Sequence, residues 1–187
     1  MCRIALSLAV LGAVSLIGCS GGGSVLNTSG TDAPTGVIVT TAGSTNIARV
    51  LPGASIPLSA TAVRGDGVLS NNRFTWTATL VTSGSYIYNT TGQTRPCAQV
   101  MQTIGATTSP FGEDFSVYVT IDPTNESNIL FAPPTIVPVP AGATAIGTSY
   151  PYCVVVTATP LDSNGAKIGG VSGSIMVAVV NPQNPEQ

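Results

Sequence analysis

The feature that most constrains this chain is a strict alternation of apolar and polar residues, repeated in short runs with no helical period between them. In Ile56 to Leu80, IPLSATAVRGDGVLSNNRFTWTATL, the apolar positions are Ile56, Leu58, Ala60 and Ala62, then Phe74, Trp76, Ala78 and Leu80. A period of two places each set on one face of a strand, so the stretch predicts a pair of half-buried strands forming an opening hairpin. Trp76, the only tryptophan, falls on the inward face with Phe74, Ala78 and Leu80 and reads as a core pin, not a ligand platform.

The same pattern recurs along the chain. Val37 to Thr41 and Ile47 to Leu51 predict a first strand that breaks and resumes, and Tyr86 to Asn89 and Ala98 to Ile104 predict weaker strands flanking NTTGQTRP. Phe115 to Asp122 predicts a strand burying Phe115, Val117, Val119 and Ile121. Asn128 to Pro140 predicts a short apolar strand running into a proline-rich, edge-like segment. Cys153 to Thr159 and Ser174 to Val180 predict a second hairpin, inward at Val154, Val156, Ala158 and at Ile175, Val177, Val179. Eight or so strands with turn signals between them make an all-β antiparallel sandwich the expected architecture. It spans 36–181, and 182–187 is expected to be a disordered tail.

Composition narrows function by subtraction. Only 7% of the 187 residues are charged and the formal net charge is −2, which gives no electrostatic footprint for nucleic acid. The chain has no histidine, so it cannot build a Ser-His-Asp triad, a Cys-His dyad or a histidine-bearing zinc site. The remaining enzyme options are a serine with Lys167, the sole lysine, or carboxylates among Glu113, Asp114, Asp122 and Glu126. Gly170 to Ser174, GVSGS, breaks the GxSxG elbow pattern at its last position and precedes a strand. The four acids sit at the two ends of one expected strand, where they read as solubilising edges. Calcium ligation at Asp66 lacks acidic neighbours, and the Asp162 turn has Gly165 as its fourth residue where a calcium loop needs glycine sixth. No catalytic residue, metal or cofactor is expected.

The N-terminus carries an address. Arg3 precedes an apolar run from Ile4 to Ile17, too short to span a bilayer comfortably and followed by no charged stop, which marks an export signal over 1–18. Its ending, Leu16-Ile17-Gly18-Cys19, resembles the lipobox of bacterial lipoproteins; an ordinary cleaved signal with an incidental Cys19 is the competing reading. The resemblance implies lipidation at Cys19 and, with Ser20 following, the outer membrane over the inner. The Gly- and Ser-rich stretch after Cys19, up to residue 35, is a flexible tether reaching about 20 to 25 Å.

Three pieces of the body resemble a bacterial immunoglobulin-like domain: PLSATAVRGDGVLSNNRFTWTAT, ILFAPPTIVPVP, and CVVVTATPLDSNGAKIGG with SIMVAVV. The resemblance implies a sandwich with an insertion between strands C and E, over Ser83 to Pro110, and no intersheet disulfide of the usual kind, because Cys97 lies in that insertion. With Cys2 removed and Cys19 lipidated, Cys97 and Cys153 remain in an oxidising compartment, where a bridge closing about 56 residues stabilises by about 4 kcal/mol. A redox pair, or a thiolate metal site with Met101, is the alternative. The expected function is a non-enzymatic binding or structural module meeting an envelope protein or glycan. Its contact loops would be at Asp66, at Tyr86, Tyr88 and Arg95, and at Asp162 to Lys167. An accessory subunit of a surface or secretion assembly, or an envelope hydrolase, are the alternatives.

Overall fold

Two antiparallel sheets lie against one shared core. The computed structural model describes residues 33–41, 47–65, 67–69, 73–81, 84–98, 101–104, 107–110, 114–135, 137, 143–147 and 150–184. The signal, Cys19, the tether before residue 33, Asp66 and Glu113 lie outside the described residues. The first sheet contains β1 (Gly36–Thr41), β3 (Ile56–Arg64), β4 (Gly67–Leu69), β10 (Val119–Ile121) and β11 (Asn128–Phe131), in the order β1-β3-β11-β10 with β4 folded back on β3. The second contains β2 (Arg49–Val50), β5 (Phe74–Val81), β13 (Tyr152–Pro160) and β14 (Gly173–Val179), in the order β2-β14-β13-β5. All pairings are antiparallel except that of β2 with β14.

The alternation dictates this layering. Leu58, Ala60, Ala62, Ile129 and Phe131 project from the first sheet, Trp76, Ala78, Leu80, Val154, Val156, Val177 and Val179 from the second, and all are buried in one cluster. The expected hairpin of the Ile56 to Leu80 stretch is therefore corrected: β3 and β5 are two inward-facing strands, but they lie in different sheets and never pair. Each apolar face needs an opposing apolar face, which side-by-side pairing cannot supply. β1, β11 and β4 take the hydrogen bonds of β3 instead, and β5 zips onto β13 over eight residue pairs. The first strand does break, and its two pieces join opposite sheets.

Phe115 to Asp122 is a second correction. Only Phe115 is fully buried; residues Ser116–Tyr118 form a 3-10 turn, Val117 is 79% exposed and Ile121 is 40% exposed. The Asp114 carboxylate accepts the Ser116 N–H at 2.8 Å, and the Phe115 N–H donates to the Ala78 carbonyl. A local side-chain-to-backbone turn at Asp114 and a bond to β5 thus override the period of two. The short apolar strand expected at Asn128 is β11, between β3 and β10, and the described residues 132–135 and 137 that follow it carry no strand. Fourteen strands are described, more than the eight or so expected. The strands not expected are β4, β7 (Thr94–Pro96), β9 (Thr107–Pro110) and β12 (Ala143–Gly147); β7 pairs with β6 (Ser85–Ile87) in a hairpin, and β9 and β12 flank β8 (Met101–Ile104) in a small sheet. Ala98 lies outside any strand while Met101–Ile104 is one, and Thr94–Pro96 of the expected connector is itself a strand. Beyond β14 the chain makes a bridged turn between Asn181 and Asn184.

Cys97 and Cys153 form a disulfide with Cα atoms 5.6 Å apart. It ties the β6–β7 hairpin to the outer face of β13, where Tyr86, Cys97, Cys153, Ala178 and Val180 make a second buried cluster.

Candidate interaction surfaces

The predicted contact residues other than Asp66, which lies outside the described residues, are divided between the two ends of the second sheet. β5 enters at Phe74, opposite Pro160, and leaves at Val81, opposite Cys153. At about 3.3 Å per residue those ends are about 23 Å apart. The Asp162 turn lies at the entry end and the β6–β7 hairpin at the exit end, so Asp162 and Lys167 do not form one surface with Tyr88 and Arg95.

At the entry end, Asp162 acts on its own backbone. Its carboxylate accepts the N–H groups of Asn164 and Ala166, each at 2.8 Å, and its carbonyl accepts the Gly165 N–H. Gly165, at φ 80°, supplies the left-handed backbone that this closure requires. The Arg73 guanidinium donates to the carbonyls of Asp162 and Ser163 and lies 3.7 Å from a Glu126 carboxylate oxygen. Trp76 is buried and its indole N–H donates to the Glu126 carbonyl at 2.7 Å, which fastens the β10–β11 turn to the core. Lys167 is exposed, on a bridge opposite Leu161.

The described carboxylates have structural partners. The Ser116 hydroxyl, aided by its N–H, holds the Asp114 carboxyl below its ordinary value. The Thr124 hydroxyl and N–H do the same for Asp122, where both donate to one carboxylate oxygen. In the core, burial pushes the Tyr152 hydroxyl above the ordinary tyrosine range; it donates to the Pro134 carbonyl. Among the described residues, no group of three or more acidic or cysteine side chains is placed to hold a metal ion, and no helix is long and apolar enough to cross a membrane.

At the exit end, Tyr86 is buried, which corrects its expected place on a contact loop. It faces the sheet because alternation along β6 sends Ser85 and Ile87 outward. Tyr88 and Arg95 stand at the hairpin, the guanidinium stacked 4.1 Å from the ring centroid and the Tyr88 hydroxyl donating to Gln93. Asn89 knits the tip together, accepting from Thr91 and the Gln93 N–H and donating to the Gln93 side chain. This tip presents a preorganised polar surface.

One surface escaped sequence reasoning. On the first sheet a groove of about 540 Å³ is lined by Pro57, Ser59, Thr120, Asp122, Asn128 and Leu130, among others. Leu130 is 47% exposed there, and Ser59 donates to Asn128 beside it. Its only sequence signal is apolar Pro57 and Leu130 at outward positions of otherwise well-patterned strands, and their pairing across β3 and β11 is a long-range fact. No protein-family model matches the chain, and no curated protein matches it.

Proposed function

We propose that this chain is a lipid-anchored bacterial envelope protein whose immunoglobulin-like sandwich serves as a non-enzymatic binding or structural module. The observation that carries the reading is the N-terminal series of one basic residue, an apolar run, Leu16-Ile17-Gly18-Cys19 and a Gly/Ser-rich tether. Thioether-linked acyl chains on Cys19 contribute about 0.8 kcal/mol per buried methylene, and two or more chains hold a protein at a membrane stably.

The strand order supports the immunoglobulin-like part. In such domains strands A, B, E and D share one sheet and C, F and G the other. Here β1, β3, β11 and β10 would take the first set of places in that order, and β5, β13 and β14 the second. Strands β6 to β9 would then be the insertion after strand C. The disulfide departs from the family pattern because it joins that insertion to strand F. Contact with an envelope protein or glycan falls to the Tyr88–Arg95 tip, which stands clear of both sheets' shared core.

The test is growth with an alkyne-bearing fatty acid, followed by fractionation and mass spectrometry of the mature N-terminus. The expected result is label on Cys19 and recovery in the outer-membrane fraction, both abolished in Cys19→Ala. An unlabelled chain beginning at another residue overturns the anchor, and a folded, soluble Cys19→Ala chain that turns over an envelope substrate overturns the non-enzymatic role.

A further inference from the structure

The outer face of the second sheet is written in two halves. In register across β5, β13 and β14, Thr77, Thr157 and Ser174 form a hydroxyl row, with a Thr157–Ser174 hydrogen bond of 2.8 Å. Two rows further on stand Val81, Cys153 and Ala178, and Val180 follows Ala178 after β14 ends. Apolar residues at outward positions need a cover, and the β6–β7 hairpin is that cover. Tyr86 and Cys97 lie on Cys153, Ala178 and Val180, all buried, and Met176 and Val81 are packed at the margin.

The cover belongs to neither large sheet. Its two strands of three residues pair only with each other, and an isolated two-stranded hairpin is marginal in water. It leaves β5 near Gly84, at φ 147°, where a Cβ would meet Met176 Cε at 3.4 Å. Among the described residues, its attachments include the Tyr86 ring, the Ala98 N–H donated to the Pro151 carbonyl, and the disulfide. The main core is a separate cluster that includes none of the hairpin's residues.

We propose that the β6–β7 hairpin is a disulfide-latched cover, and that reduction of Cys97–Cys153 bares the apolar patch of Cys153, Ala178 and Val180 while the two-sheet core stays folded. The reductant is a dithiol, either a small molecule or an envelope dithiol oxidoreductase. Its thiolate attacks Cys97 Sγ, the more exposed of the two at 9% against 0% for the residue, and the S–S bond breaks. Cys153 leaves as a thiolate and takes up a proton. The second sulfur of the dithiol then displaces Cys97, so two electrons and two protons pass to the protein and the dithiol ends as a disulfide.

The experiment is hydrogen exchange with mass spectrometry on the full chain, with and without dithiothreitol, and on the Cys97→Ser, Cys153→Ala double variant, which needs no reductant. With the latch open, the amides of Tyr88, Cys97 and Ala98 are expected to exchange within about tenfold of unstructured peptide, while those of Val154, Val156 and Val177 remain protected by more than a hundredfold. Unchanged protection in the hairpin overturns the proposal, because the disulfide is then not the latch. Loss of protection in β13 and β14 together with the hairpin also overturns it, because the cover is then inseparable from the core. A disulfide that resists dithiothreitol until the sheets unfold overturns it as well.

Discussion

The two apolar clusters of this protein are built on different principles. The main core is assembled from two faces that each follow a period of two, and it closes because many small side chains interdigitate. The cluster under the hairpin is five buried residues, two of them joined covalently. One region is cooperative and patterned, the other local and stapled. A small apolar patch with few contacts gains little from burial alone, so a bond that restricts the unfolded chain supplies what packing does not.

The largest effect that separates the two regions is expected at Trp76. Its ring is buried beside Phe74, at 6.4 Å between centroids, and its indole N–H is bonded to the Glu126 carbonyl. Trp76→Ala should cost about 3 to 5 kcal/mol through lost transfer energy, a cavity and an unsatisfied carbonyl. The measurement is chemical denaturation, and an unchanged midpoint would remove Trp76 from the core. Next in size is the staple. Cys97→Ser should cost about 2 to 4 kcal/mol with a single unfolding transition retained, because the bond closes a loop of sequence separation 56 that includes β8 through β12. A Cys97→Ser chain whose two sheets unfold along with the hairpin would merge the regions that the structure separates.

Patterned regions were legible in the sequence and stapled or capped ones were not. The inward residues of β3, β5, β13 and β14 follow from alternation alone, and the disulfide follows from counting cysteines. Pairing partners did not follow: adjacency in sequence suggested that Ile56 and Leu80 belong to one hairpin, whereas the demand for an opposed apolar face sends β5 to the other sheet. Val117 and Ile121 depart from the period of two because the Asp114 bond to the Ser116 N–H is a local turn that hydrophobic periodicity does not encode. Tyr86 was misplaced because its burial depends on a hairpin folding back over Cys153, a contact across more than sixty positions. The candidate surfaces were half legible, with the turn chemistry at Asp162 evident and its separation from Tyr88 not.

A smaller effect sharpens the meeting of the two sheets. A Cβ on Gly173 would stand 2.2 Å from the Val37 carbonyl oxygen, so β14 and β1 touch backbone to backbone there. Gly173→Ala must push the edges apart and should cost about 1 to 3 kcal/mol, as overpacking does. A melting temperature equal to the parent's would mean that β1 yields freely, and that the core is less closed at this corner than its buried residues imply.

The smallest effect concerns acid. Asp114 and Asp122 both have carboxyls held below their ordinary value of 3.8 by hydroxyl and N–H donors; Asp114 is exposed and Asp122 half-buried. A carboxylate with a depressed folded-state pKa stabilises the fold above its unfolded value, and that contribution disappears as pH falls through the folded value. The loss therefore begins near pH 4 and continues below it. With no histidine in the chain, nothing of imidazole character titrates between pH 5 and 8. The expected profile is a melting temperature that is flat from pH 8 to pH 5 and falls below pH 4, with a shallower acid limb in Asp122→Asn. The hairpin cluster, held by a bond that does not titrate, should keep its protection across the same range. A slope between pH 5 and 8, or a hairpin that opens in acid before the sheets do, would show that the stapled region depends on charge and not on its covalent tie.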